Sequence, residues 1–217
     1  MKVTLYGYWR SLAAYRVRVA LSLKGVPFEE ISINLANGEQ FGEAYSLINP
    51  QHVVPLLKHD GHEIGQSLAI LEYIEDVWPN PKLIPSMPID KAEVRALALI
   101  AIADTHPLII PRVRNFLNQE WGLDESHQTR WAQHWFSEGN EAIENMLKKL
   151  AKSQVYSFGD ELTIADIALV SHVIGAKIFG VDMNTAPILN GIFENCMKLD
   201  SFSNAHPLKQ TGAPNQV

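Results

Sequence analysis

The first residues in this sequence with a chemical use are an arginine and a serine in tandem, Arg10-Ser11, at the junction of two differently patterned segments. Lys2 to Tyr8 places Val3 and Leu5 on one side and Thr4 and Tyr6 on the other, the period of a strand. From Ala13 to Lys24 the apolar residues Ala13, Val17, Ala20 and Leu21 recur at helical spacing, with Arg16 and Lys24 expected to reach water and Gly25 as the stop. Arg10 and Ser11 therefore open a helix, where unpaired amides and the helix dipole favour negative charge. A thiol with an ordinary pKa of about 8.5 is converted toward thiolate in such a place, and a hydroxyl donor adds to the effect. Ser11 is the candidate donor; the competing reading is a serine that only caps its helix.

Two further points suit a small peptide. Val54-Pro55 lies between a loop and a strand, where a cis bond is expected and where the Val54 backbone is left to pair with an extended ligand. Gln66-Ser67 precedes the apolar stripe Leu68, Leu71 and Ile74; with Ser67 as N-cap, its amide and hydroxyl can receive a carboxylate while Gln66 offers its side-chain amide. That combination fits the amino-acid end of a ligand.

The elements that must position these residues follow the same chain order. Phe28 to Leu35 carries Ile31, Ile33 and Leu35 at spacing two, and Val53 to His59 and Glu63 to Ile64 flank the hairpin pair Asp60-Gly61. Strand, helix, strand, hairpin and helix in sequence describe a thioredoxin-like α/β domain over residues 1–80. Pro79, Pro81, Pro85 and Pro88 then mark a linker at 81–89. Residues 90–217 read as an all-helical domain: Val94, Leu97, Ala98 and Ala101 form one stripe, Trp131, Trp135 and Ile143 part of another, and Thr163 to Asp166 a capping box. The tail from Gln210 to Val217 is expected to be loosely ordered.

Bulk properties narrow the function. The 18 basic and 24 acidic residues give a net charge of -6, without the long-range field expected of a nucleic-acid or lipid binder. A single cysteine, Cys196, excludes an internal disulfide and a cysteine-rich metal site, and points to a reducing compartment, with the cytoplasm expected. Apolar runs such as Ala96 to Ala103 fall short of the roughly 20 residues that span a bilayer.

Taken together, Tyr8-Trp9-Arg10-Ser11 with Arg16-Val17-Arg18-Val19-Ala20-Leu21, Asn49-Pro50-Gln51, Val54-Pro55, Gln66 to Ile70 and Phe158-Gly159-Asp160 through Asp166 resemble the zeta class of glutathione transferases over nearly the whole chain. This class includes maleylacetoacetate isomerase and the bacterial maleylpyruvate isomerases. The resemblance implies the glutathione transferase fold, glutathione as cofactor, a homodimer, and a role in aromatic amino acid catabolism. Its reaction would be cis-trans isomerisation by thiolate addition to a conjugated double bond, rotation and elimination. It assigns Ser11 and Arg10 to catalysis, Gln51, Val54, Pro55, Gln66, Ser67 and His106 to glutathione, and Arg10 and Arg112 to a small anionic or electrophilic substrate; Arg16 and Arg18 are read as structural.

Two positions depart from the class pattern. Ser11-Leu12-Ala13 stands where Ser-Ser-Cys is typical, and Ile178 where an arginine commonly binds substrate carboxylate, with Lys177 one residue away. These departures keep open a non-catalytic glutathione-binding or regulatory protein on the same fold. Disulfide chemistry through Cys196 is the least favoured reading, because that residue lies in a helical segment far from Ser11.

Overall fold

The computed structural model describes residues 2–153 and 155–214. Its first unit runs to Leu83 and recovers the stretch that begins at Leu199; the second runs from Ile84 to Lys198. This division differs from the expected helical domain at 90–217, because the closing stretch packs with the first unit. Phe202 is fully buried there, its carbonyl accepts a hydrogen bond from the Tyr15 hydroxyl, and the Ser22 and Ser201 hydroxyls meet at 3.1 Å. The expected loose tail is likewise held as far as Ala213, with Gln210 bonded to the carbonyls of Asn204 and His206; residues 215–217 lie outside the described residues.

In the first unit the elements are β1 (Val3–Gly7), α1 (Leu12–Leu23), β2 (Glu29–Ser32), α2 (Glu43–Ile48), β3 (Leu56–His59), β4 (His62–Gly65) and α3 (Ser67–Val77). They form a four-stranded mixed sheet in the order β2-β1-β3-β4. β1 runs parallel to β2 and antiparallel to β3, so a crossover helix joins the first pair and the Asp60-Gly61 turn joins β3 to β4. Both turn residues have positive φ, 48° and 82°, as the expected hairpin requires. β2 is shorter than its alternation suggested, since the chain leaves the sheet after Ser32 and Leu35 enters a 3-10 turn. The β3 ladder likewise starts at Leu56 rather than Val53.

α1 is the core of this unit, with ten of its twelve residues buried. Burial on nearly every side corrects the expectation that Arg16 and Lys24 reach water. Both are enclosed by neighbouring segments, Arg16 beside Ser67 and Lys24 between Glu75 and the Pro81 carbonyl.

Among the described residues the second unit is helical apart from two isolated bridges near Gly159. It comprises α4 (Pro88–Leu99), a π-helical turn at Ile100–Thr105, α5 (His106–Ile109), α6 (Pro111–Trp121), α7 (Glu125–Leu150), α8 (Ile164–Ile178) and α9 (Pro187–Met197); α10 (Asp200–Ser203) belongs to the first unit. The linker ends earlier than expected, with Pro88 as the first helical residue, a position that needs no amide proton. Pro107 accounts for the π turn: it has no proton for an interior helical bond, and the preceding His106 amide reaches back five residues to Ala101.

By length and composition the stretch Pro88–Trp121, taken as one helix, passes the test for crossing a bilayer, which the shorter run Ala96 to Ala103 did not reveal. Val94, Leu97 and Ala98 are instead buried within the helical unit, where α4 packs on α8. α8 is apolar almost all round and is pinned at its start by Asp166, whose carboxylate accepts from the Ser157 amide at 2.7 Å, the Thr163 amide at 2.8 Å and the Thr163 hydroxyl at 2.9 Å. Asp166→Ala leaves those donors buried without an acceptor. It is expected to cost about 3 kcal/mol, measured as a lower urea midpoint at unchanged m-value; a loss under about 0.5 kcal/mol would show that the box is dispensable.

Candidate functional site

Register alone brings the sequence-selected residues of the first unit to one end of the sheet. Tyr6 of β1 lies opposite Leu56 of β3, and Leu56 lies opposite Gly65 of β4. The chain leaving β1 toward Ser11, the chain entering β3 through Val54-Pro55, and the chain leaving β4 through Gln66-Ser67 therefore share an edge. The Gln66 side-chain amide donates to the side-chain Oε1 of Gln51 at 2.8 Å across that edge.

Ser11 is the N-cap of α1 and accepts from the Ala14 amide at 3.1 Å. Capping does not exhaust it, because a hydroxyl keeps its own proton to donate while its oxygen accepts. The turn that carries it is braced from below: the Tyr8 carbonyl accepts from the Ser11 amide at 2.9 Å and from Arg18 Nη2 at 3.0 Å. Arg18 is in turn gripped by both Glu30 carboxylate oxygens, at 2.6 and 2.8 Å. A Cβ at Gly7 would meet the Glu30 carboxylate and force it to shift from this pairing.

Val54-Pro55 is cis, as the sequence position suggested. The Val53 carbonyl before it is fixed by the Tyr45 hydroxyl at 2.6 Å and by Asn49 Nδ2 at 2.7 Å, while Asn49 Oδ1 receives the Gln51 amide at 3.1 Å. Tyr45 and Asn49 are supports that sequence reasoning missed. A buried asparagine just before Pro50-Gln51 was the available signal, and burial cannot be read from a lone asparagine.

Ser67 is not the N-cap. Gln66, with φ 65° and ψ 115°, occupies that position and Ser67 is the first helical residue of α3. The reason is a competing bond: the Ser67 oxygen accepts from the buried Arg16 Nη1 at 2.9 Å instead of from its own helix. Neither α1 nor α3 has an acidic residue in its first turn, so both helix starts keep their positive potential. Arg10 is exposed beside the first of them.

In the helical unit, His106 follows the π turn at the start of α5 and Arg112 is exposed in the first turn of α6. Lys177 places its ammonium 4.0 Å from the centre of the Phe193 ring, and Ile178 ends α8 half-exposed. Among the described residues no cluster of histidine, cysteine and carboxylate side chains forms a metal site.

The first 76 residues match the glutathione S-transferase N-terminal domain family. Over 95% of its length the chain is 38% identical to a maleylpyruvate isomerase from a Ralstonia species, covering 97% of that protein. A solved holo structure of maleyl pyruvate isomerase, described as a bacterial glutathione S-transferase of the zeta class, superposes with a TM-score of 0.94 at 38% identity, over 97% of this chain and 99% of that one. The chain belongs to the zeta class of glutathione transferases. Another similar structure, the maleylacetoacetate isomerase of Methylobacterium extorquens AM1, was solved with malonate and glutathione bound; it is 40% identical with a TM-score of 0.94, over 97% of this chain and 99% of that one.

For this zeta-class chain the sequence's own thiol is inert by placement. Cys196 lies fully buried in α9, where desolvation first and the nearby Asp166 second push its pKa upward, away from thiolate. A thiol-specific chromogenic reagent is expected to label no cysteine in the folded protein and one after denaturation, and Cys196→Ala to retain the full catalytic rate. Fast labelling of the native protein with loss of activity would reverse that assignment.

Proposed function

We propose that the chain binds glutathione along the sheet end described above and uses it for cis-trans isomerisation of a small dianionic acid of the maleylpyruvate or maleylacetoacetate type, with glutathione transfer to small electrophiles at the same site. The observation that carries this reading is the meeting of two acid-free helix starts, at Ser11 and Ser67, on either side of Val54-Pro55. The residues fit a γ-linked tripeptide: one helix start for a sulfur anion, an edge of backbone for the middle, and a second helix start for an amino-acid carboxylate. The full-length similarity to isomerases supports the same conclusion.

Bound glutathione supplies a thiolate that adds reversibly to the conjugated double bond, freeing it to rotate. The Ser11 hydroxyl donates its remaining proton toward the sulfur and holds it as an anion at neutral pH. Val54 pairs through its backbone with the peptide, Pro55 shapes that approach, and Gln51, Gln66 and Ser67 hold the γ-glutamyl end. Arg10 stabilises negative charge on the substrate. From the helical unit, Arg112 is assigned to a substrate carboxylate and His106 to a hydrogen bond with the tripeptide. The protein works as a cytoplasmic homodimer in aromatic amino acid breakdown. Large apolar side chains exposed on the single chain, Phe41, Leu47, Met87 and Ile89, are consistent with cover by a second copy.

Turnover of maleylpyruvate and maleylacetoacetate, with and without glutathione, tests the reading. Ser11→Ala is expected to lower kcat about 100-fold with little change in KM, and to abolish the ultraviolet thiolate band of the glutathione complex at pH 7. Tight glutathione binding without turnover of either acid or of an aryl halide would instead establish the non-catalytic alternative.

A further inference from the structure

Arg16 is the largest fully buried side chain with a formal charge, and its surroundings do not neutralise it. Its Nε donates to the Leu12 carbonyl at 3.3 Å and its Nη1 to the Ser67 hydroxyl oxygen at 2.9 Å. Among the described residues no carboxylate lies within ion-pair distance of it. Arg18 shows the contrast two residues later, where both Glu30 oxygens bind the guanidinium. Burial alone lowers the Arg16 pKa to about 9, with no offsetting attraction from an acid. Removing a cation from water without a counter-charge is unfavourable, so a structural arginine here is less favourable than an apolar side chain of equal volume.

We infer that Arg16 is the buried counter-charge for the α-carboxylate of the γ-glutamyl end of glutathione, delivered through Ser67, and this rests on the glutathione site proposed above. The chemistry follows from bond direction. The Ser67 oxygen is occupied as an acceptor by a charged donor, so the hydroxyl proton is the part left to point outward. A hydroxyl polarised from behind by a guanidinium is a stronger donor to an anion than a hydroxyl alone. A carboxylate arriving at the start of α3 meets this proton together with the first-turn amides. The same guanidinium holds the Leu12 carbonyl, one residue from Ser11, and so ties the carboxylate end of the site to the sulfur end. Arg16 touches no substrate in this scheme; it is a positioning residue.

The test is a ligand-protein double cycle by calorimetry on the full-length protein, with glutathione and with 4-aminobutyryl-cysteinyl-glycine, which lacks only the α-carboxylate. Wild type is expected to prefer glutathione about 30-fold, and Arg16→Met to reduce that preference to about twofold by weakening glutathione alone. The unliganded thermal midpoint of Arg16→Met is expected to equal or exceed that of wild type. Arg16→Lys retains the charge and should keep a preference of at least about tenfold, whereas Ser67→Ala should lose it. If Arg16→Met does not fold, the contrast between the lysine and Ser67→Ala variants decides. Equal weakening of both ligands in Arg16→Met, or an undiminished preference in Ser67→Ala, would reduce Arg16 to scaffold and overturn the inference while leaving the glutathione site intact. Absence of any glutathione binding by wild type would overturn the functional reading first, and this inference with it.

Discussion

The shared register of β1, β3 and β4 is the constraint on which the site depends. Because Tyr6, Leu56 and Gly65 stand in one row, the chain leaving β1 and the two strands of a hairpin far along the sequence from it end on the same edge. A one-residue slip in β3 would turn Leu56 and Leu57 to opposite faces and move Val54 away from Ser11. Burial of Leu5 opposite Leu57 on one face, and of Leu56 on the other, stabilises this pairing. The catalytic geometry is an outcome of packing, set before any ligand arrives.

Packing around α1 then determines which charges act. A helix buried on almost all faces has no solvent side to which long cations can reach, so its two central arginines must find partners inside. Arg18 finds Glu30 and the Tyr8 carbonyl and becomes a brace for the turn that carries Ser11. Arg16 finds only a carbonyl and a hydroxyl. The two residues are chemically identical and two positions apart, yet one is neutralised and the other remains a source of positive potential under the site.

This difference marks where the sequence stopped being legible. Periodicity placed β1, α1 and α3 within one or two residues and the hairpin turn at its place, although β3 starts three residues later than expected, because local pattern and turn chemistry agree there. The Asp60-Gly61 turn and the cis Val54-Pro55 were readable from residue type. Burial of Arg16 and Lys24 was not, since arginine and lysine are mostly exposed by type and the enclosing partners, Ser67 and Glu75, lie 51 residues away. Ser67 was misread as an N-cap for the same reason: serine before an apolar stripe is a cap by local rules, and only the distant guanidinium redirects its oxygen. The return of Leu199 and the residues after it to the first unit was also hidden, because the helical pattern shows no break there that local rules recognise.

The departures from the class pattern read differently once burial is known. Leu12 and Ala13, which replace a serine and a cysteine typical of the class, are buried among the core residues of α1. At those positions apolar side chains favour packing, while Ser11 at the cap keeps a hydroxyl proton to donate. Lys177, one residue from Ile178, rests its ammonium over the face of Phe193. Arg10 and Arg112 are exposed, whereas Arg16 and Arg18 are enclosed and held by Ser67 and Glu30. The contrast follows from burial: the guanidinium groups of Arg16 and Arg18 are enclosed, where water is excluded and charge acts strongly, whereas those of Arg10 and Arg112 are exposed and screened by solvent.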